Sequence, residues 1–291
     1  MIYLVFSGVL WGTGGLTGRL LALHAHLSPT AVAGYRLLLG GTLLIVFTVA
    51  TGRGRPRGRA AWTRVGTVGV LAAGFQACYF AAVACTDVSL ATLITIGAAP
   101  VLVVGFEQAT GRRRLSARTA GTVALAVAGL GLLVGEPGHG MSTAALAAGA
   151  ACAITSAAGF AAVSLLGKTP VPGLDDATMT GYGFALGGLA LLVTAGVTTG
   201  AGFAPRPAAL GLLLALGLIP TAIAYALYFT GLRGAAASTG TVTALLEPLT
   251  GTVLAVALLG DRLTAVGAVG AALLAVSVST EAWRSRAATA E

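Results

Sequence analysis

Two similar stretches decide the fold of this sequence: residues 79–121 read YFAAVACTDVSLATLITIGAAPVLVVGFEQATGRRRLSARTAG, and residues 228–270 read YFTGLRGAAASTGTVTALLEPLTGTVLAVALLGDRLTAVGAVG. Both open with Tyr-Phe, both carry a proline within an apolar run (Pro100 and Pro248), and both reach Leu-Ser or Leu-Thr fifteen residues after that proline. A one-residue offset between tyrosine and proline is the only adjustment needed. The match indicates an internal repeat, with chance likeness between Ala/Leu/Gly-rich segments as the alternative.

The composition around these stretches is that of a membrane protein. Of the 291 residues, 9% are charged, against roughly 25% in ordinary globular proteins. Hydrophobic residues make up 56%, and the mean hydropathy is +0.92. So few charged side chains cannot cover a water-facing surface, which excludes soluble enzymes, disordered tails and secreted disulfide scaffolds.

The basic residues argue against a nucleic-acid partner despite the net charge of +8. Most of them fall in two clusters, 53–64 and 112–118, which lie between long apolar runs without interleaved aromatic residues. Such loops follow the positive-inside bias of membrane proteins, and no nucleic-acid recognition motif accompanies them. The three cysteines lie in apolar runs without metal-type spacing, so we expect packing residues, with no metal and no cofactor.

Ten apolar runs have the length of about 20 residues that a bilayer core requires. They lie at 2–23, 30–51, 62–85, 88–109, 115–135, 143–166, 178–200, 207–230, 236–259 and 263–282. The predicted fold class is therefore an all-α membrane protein with ten transmembrane helices, short loops and no separate soluble domain. We expect the first run to be a span rather than a cleaved signal, because no basic segment precedes it and nine runs follow.

The distribution of Lys and Arg predicts the orientation. Thirteen of the 17 fall after even-numbered runs or in the C-terminal tail, three fall after odd-numbered runs, and Arg36 lies inside run two. This bias predicts a multi-pass protein of the plasma (inner) membrane with both termini in the cytoplasm.

The repeat unit contains five runs, an odd number, so its two copies insert with opposite orientation. We place the copies at 1–137 and 138–291. Inverted five-helix repeats are typical of transporters, which hold the substrate near the membrane midplane between the two halves.

The chain resembles EamA-type members of the drug/metabolite transporter superfamily over essentially its full length. The residues that carry the resemblance are, beside the repeat, Trp11-Gly12, Ser28-Pro29 followed by Arg36, Glu247-Pro248, and the run Gly260-Asp261-Arg262-Leu263-Thr264. The resemblance implies ten helices in two EamA repeats and export or exchange of small metabolites, amino acids or drugs.

Two turns depart from the family pattern, which usually has Gly-Glu-Arg there. Copy two has Asp261 in place of the glutamate, and copy one has Arg112-Arg113 with no acid beside them. The acid of copy one lies deeper, at Glu107, so a role for a turn carboxylate does not carry over to that copy.

Ionisable side chains inside the runs are costly to bury and are therefore functional candidates. Glu247 directly precedes Pro248, which removes a backbone donor and loosens the helix. We weigh a substrate-amine or proton site at Glu247 against a packing group that supports the kink. Arg36 is a candidate for a substrate carboxylate, against snorkelling or pairing with an acid. For Glu107, a structural ion pair with Arg112 or Arg114 is favoured over a coupling role.

Five side chains with polar tips lie deep in the runs: Trp11, Gln76, Tyr79, Tyr225 and Tyr228. Gln76 and Tyr79 are three residues apart, as are Tyr225 and Tyr228, so each pair shares a helix face. Together with Arg36 and Glu247 these residues are predicted to line a central cavity, with helix kinks at Pro100 and Pro248. Hydrogen-bonded packing between helices is the alternative.

Catalytic and nucleotide-binding motifs are missing from the sequence, so we expect no enzyme. The stretch Leu166-Gly167-Lys168-Thr169 is similar to the end of a phosphate-binding loop, but Ala162 replaces the glycine that such a loop requires upstream.

The combined prediction is a secondary transporter that exports a small organic metabolite, an amino acid or a related compound, by alternating access. The cavity would be walled by runs one, three, six, eight and nine, a choice that partly follows from the resemblance. The alternatives are a multidrug or organic-cation exporter and, from another class, a non-transporting scaffold or sensor. Proton coupling through Glu247 is a hypothesis. Lipid is the expected surrounding partner, and ten helices suffice for a monomeric functional unit.

Overall fold

The chain is helical throughout the part described by the computed structural model, which covers residues 1–86, 88–111, 116–134, 142–260 and 262–287. No β-strand occurs in these ranges. The helices are α1 (Ile2–Ala25), α2 (Pro29–Ala50), α3 (Gly58–Cys85), α4 (Val88–Ala109), α5 (Ala117–Val134), α6 (Thr143–Gly167), α7 (Asp176–Thr198), α8 (Pro207–Gly217), α9 (Ala224–Arg233), α10 (Ala237–Ala244), α11 (Leu246–Leu254) and α12 (Ala265–Ala287). The predicted repeat boundary at 137/138 lies outside the described residues.

Nine helical stretches of the described chain are long and apolar enough to cross a bilayer, judged by length and composition. Two of them join several helices: Pro207–Arg233 contains α8 and α9, and Ala237–Leu258 contains α10 and α11. The 24-residue helix α1 is not among the nine, because Arg19 and its many Gly and Thr residues lower its hydropathy. The protein is a multi-pass integral membrane protein, and its helices begin and end close to the predicted runs.

Polar side chains fix where several helices begin. The Ser28 hydroxyl accepts a hydrogen bond from the Ala31 N–H at 3.2 Å, directly before a proline at the first helical position of α2. Ser142 caps α6 in the same way. The Asp175 carboxylate accepts from two backbone N–H groups of α7. These caps satisfy donors that have no partner inside the helix, so the predicted breaks become helix starts.

One face of helix α1 packs against both α8–α9 and α10–α11, whereas its other face, with Ile2, Phe6 and Gly15, is exposed. A Cβ atom added at Gly8 would lie 2.5 Å from the carbonyl oxygen of Thr243, and one at Gly12 would lie 2.8 Å from the carbonyl oxygen of Glu247. Only glycine permits backbones to approach this closely. The small residues of α1 therefore bring it against the kinked stretch that carries Glu247.

Prolines coincide with irregular backbone in two stretches. The helix ends and restarts at Leu245, three residues before Pro248. Pro220 lies in a π-helical turn, Leu218–Ile223, where the Thr221 hydroxyl donates to the Leu216 carbonyl at 2.8 Å. That bond satisfies the carbonyl of α8 that residue 220 would pair with in a regular helix, because Pro220 has no N–H to donate. By contrast, α4 continues as one helix through Pro100.

The burial of side chains changes along the stretch 237–254, which runs from one end of the bundle toward the other. We term "basic end" the end at which α1, α3 and α7 begin and α6 and α9 end, with the arginines of 53–64 beside it. Near this end all eight residues of α10 are buried, whereas α11, further along the same stretch, has no buried residue. Helix α10 is therefore fully enclosed, whereas α11 is partly exposed along its length although Gly12 of α1 packs closely against it.

Candidate functional site

Arg36 and Glu247 bring opposite charges to the middle of the bundle. Glu247 lies in the first turn of α11, and electrostatic interaction links its carboxylate with the Arg36 guanidinium of α2. Both residues are half-buried, and they form no direct ion pair within the described structure. The Arg36 Nη1 atom lies 3.9 Å from where a Cβ would stand on Gly14.

The Arg36 Nε atom is buried and has no hydrogen-bond partner among the described residues. An unsatisfied buried donor costs roughly 1–3 kcal/mol, and more when it is charged. The Arg36 guanidinium and the Glu247 carboxylate thus lie in the same site without forming a direct ion pair. An ammonium and a carboxylate on one small molecule would satisfy both.

Tyr79 borders this pair from α3. Its half-buried side chain interacts electrostatically with Glu247 and Arg36, and its hydroxyl is 2.9 Å from the Thr92 hydroxyl of α4. Gln76, one turn earlier on α3, is only 6% exposed. Tyr79 therefore already has one partner between helices, and Gln76 is largely enclosed.

A packed aromatic cluster contains Trp11, Tyr225 and Tyr228, whose side chains are almost fully buried. The ring centroid of Trp11 lies 4.9 Å from those of both tyrosines and 5.9 Å from that of Phe160 on α6. Trp11, Tyr225 and Tyr228 are 6%, 4% and 1% exposed. The Tyr228 hydroxyl is 2.8 Å from the Ser164 hydroxyl, so it joins α9 to α6.

The aromatic cluster still contains one unused polar atom and adjoins the charged pair. The Trp11 Nε1 atom is buried without a hydrogen-bond partner among the described residues. Electrostatic interactions connect Tyr225 with Arg36 and Glu247. The structure thus gathers Trp11, Arg36, Tyr79, Tyr225 and Glu247 around one centre.

Sequence reasoning missed several polar residues of the interior. Glu281 of α12 is 7% exposed and accepts a hydrogen bond of 2.6 Å from the Thr239 hydroxyl of α10. An acid inside the last predicted run was the available signal. Helix α6 adds the Phe160 ring to the aromatic cluster and the Ser164 hydroxyl as the partner of Tyr228. In the sequence, both are ordinary residues of an apolar run.

Glu107 is enclosed at the basic end of α4. It is 8% exposed, and its Oε2 atom has no hydrogen-bond partner among the described residues. The predicted partners Arg112 and Arg114 lie outside the described residues, as does Asp261 of the second turn. Within the described chain, Glu107 interacts electrostatically with Lys168.

The described residues contain no group of three His, Cys, Asp or Glu side chains placed to hold a metal ion. The electrostatic centre consists of one guanidinium, one carboxylate and phenol groups. Such a set recognises charged organic groups.

Comparison with known proteins places the chain among transporters. The model of the EamA-like transporter family matches residues 1–135 and again 147–280. An uncharacterized transporter of Bacillus subtilis (strain 168), YwfM, is 29% identical over 273 residues, which cover 94% of this chain and 90% of that protein. A solved crystal structure is similar in fold with a TM-score of 0.79 at 19% identity, covering 97% of this chain and 96% of the other.

Proposed function

We propose that the chain, which belongs to the EamA-like transporter family of the drug/metabolite transporter superfamily, exports a small zwitterionic metabolite such as an amino acid. Family and relative point to transport rather than catalysis. The substrate and the direction are our inference from the site.

The observation that carries the proposal is the pair Arg36 and Glu247. Their charges lie near enough to interact but do not neutralise each other directly. A buried charge without a partner is expensive, so a site of this kind is completed by a ligand that supplies the opposite charges. The α-carboxylate of an amino acid would pair with Arg36 and its ammonium with Glu247.

The proposed architecture has ten spans in two inverted repeats, 1–137 and 138–291. It is supported by the two stretches matched by the family model, and by α1, which is long enough to add a tenth span to the nine. We place the protein in the plasma (inner) membrane with both termini and the basic end in the cytoplasm, because thirteen basic residues lie on that side and three on the other.

Transport would proceed by alternating access, with one chain as the functional unit. The full burial of α10 and the partial exposure of α11 support a conformation closed toward the cytoplasm and accessible from the opposite end. Closing α11 and opening α10 would then present the centre between Arg36 and Glu247 to the other side. Glu247 is also the proposed proton site.

Counterflow in proteoliposomes tests the proposal. Vesicles loaded with an unlabelled amino acid should accumulate the labelled one, and Arg36→Gln and Glu247→Gln should each lower the rate at least about tenfold, the factor for 1.4 kcal/mol. Arg206→Gln removes an exposed charge at the opposite end and should leave the rate unchanged. Wild-type rates in both central variants would refute the assignment, and unchanged pH dependence in active Glu247→Gln would refute proton coupling there.

An organic-cation exporter is the second candidate, favoured by the aromatic cluster beside the acid Glu247. Aromatic faces and a carboxylate suit a cation. The two substrates separate in the same assay: counterflow of a cation should survive Arg36→Gln and fail in Glu247→Gln. A non-transporting scaffold would lack counterflow of either class.

A further inference from the structure

At the basic end, long cationic side chains reach the carbonyl groups at helix ends. The Arg64 Nη1 atom of α3 donates to the carbonyl oxygens of Leu166 at 2.6 Å and Thr169 at 3.0 Å, at the end of α6. Carbonyls at a helix end lack partners within the helix and attract cations. Arg64 therefore ties α3 to α6.

Lys168 continues this linkage from α6 to the corner between α9 and α10. Its Nζ atom donates to the carbonyl oxygen of Leu232 at 2.8 Å and also to that of Ala235. The corner leads directly into α10, the helix whose eight residues are all buried. Lys168 thus holds the start of the tightly enclosed segment against α6.

A second link secures the same corner from the other side. The Arg233 Nε atom lies 2.5 Å from Oδ2 of Asp176 in the first turn of α7. It is the one ion pair of the described chain. Arg233 is largely exposed, and exposed pairs contribute little to stability. The half-buried Lys168, which reaches backbone carbonyls, is the stronger restraint.

We propose that Lys168 is a positioning residue for transport: it latches the α9–α10 corner to the end of α6, and its release opens the basic end. The inference rests on the proposed function, because a latch matters only if the two ends open in turn. On release, the ammonium has an acceptor nearby in the buried, unpartnered Oε2 atom of Glu107 on α4. Lys168, which lies in a sequence similar to the end of a phosphate-binding loop, would thus control the opening of the basic end.

The charge environment predicts how the latch responds to pH. Burial lowers the pKa of Lys168 below its ordinary value, and Glu107 of α4 acts in the opposite direction. The other charged groups around the corner are Arg64 of α3, Arg233 of α9 and Asp176 of α7. The closed end therefore holds the proton of Lys168 less tightly than the open end, where the side chain would regain an ordinary pKa. By linkage, raising the pH favours the closed end.

Thiol labelling measures opening without any substrate. Thr241 of α10 is 1% exposed. The substitution Thr241→Cys therefore reports access to the enclosed segment, once the three native cysteines have been replaced by alanine. We expect Lys168→Met to raise its labelling rate by a maleimide about tenfold, equivalent to about 1.4 kcal/mol in the opening equilibrium. Arg57→Met removes an exposed charge at the same end and should change nothing. Equal rates in Lys168→Met and Arg57→Met would overturn the latch.

A second measurement keeps the test decisive if Lys168→Met folds poorly. In the otherwise native reporter, labelling normalised to unfolded protein should fall as pH rises toward the ordinary pKa of lysine. Lys168→Arg keeps its charge and should show a flat response. A rise in the native reporter, or the same response in both, would contradict the proposal. Because labelling needs no substrate, the two failures can be told apart: the expected labelling without counterflow would count against the proposed substrate, and equal labelling with intact counterflow would count against the latch.

Discussion

The contact between α1 and α11 gives a sharp prediction for the substitution Gly12→Ala. A Cβ at position 12 would lie 2.8 Å from the Glu247 carbonyl oxygen and 2.9 Å from Cγ2 of Thr250. Because the carbonyl is backbone, it cannot rotate away, so the two helices must move apart. Overpacking of this kind costs about 1–3 kcal/mol. The shift would also displace Glu247 relative to Arg36.

The matched control is Gly15→Ala in the same helix. A Cβ at position 15 would meet nothing within 4 Å, and alanine is favoured over glycine in a helix by roughly 0.5–1 kcal/mol. Thermal unfolding in one detergent should therefore place Gly12→Ala below, and Gly15→Ala at or above, the native chain. Counterflow should fall in Gly12→Ala alone. Equal stability of the two variants would refute the close approach of α1 to Glu247.

Three further predictions concern two hydrogen bonds and the orientation of the chain in the membrane. Tyr228→Phe removes the hydroxyl contact with Ser164 and should cost about 0.5–1.5 kcal/mol in unfolding experiments; no loss would contradict that hydrogen bond. Glu281→Ala leaves the Thr239 hydroxyl buried without its acceptor and should cost about 1–3 kcal/mol, more than Glu281→Gln, which keeps an acceptor; the reverse order would count against the pair. A cysteine at Arg57 should react with an impermeant thiol reagent only after the cells are opened, and labelling of intact cells would reverse the proposed topology.

Much of the helix layout could be predicted because it depends on residues that are close together in the sequence. A run of about 20 apolar residues fits the bilayer core, and Ser28-Pro29 ends one helix and caps the next without help from distant residues. The number of apolar spans depends on α1, whose several Gly and Thr residues and Arg19 hold its hydropathy below that of the other nine stretches.

The partners of the polar residues could not be predicted, because they depend on which helices meet. The sequence offered Arg36 and Glu247 separately, and only the packing of α2 and α11 around α1 brings them into electrostatic contact. Tyr228 was singled out, but its partner Ser164 lies in another helix. Lys168 was set aside as an imperfect nucleotide motif, since no local pattern reveals that it reaches the end of α9.

The packing of α1 against late segments of the chain also constrains how the protein is made. Its partners α8 to α11 lie near the other end of the chain, so a ribosome releases α1 long before them. In the interval, Gly8 and Gly12 of α1 lack the α10–α11 backbone against which they finally pack. Insertion and assembly must therefore be separate events: α1 enters the bilayer early and reaches its final neighbours only when synthesis is nearly complete.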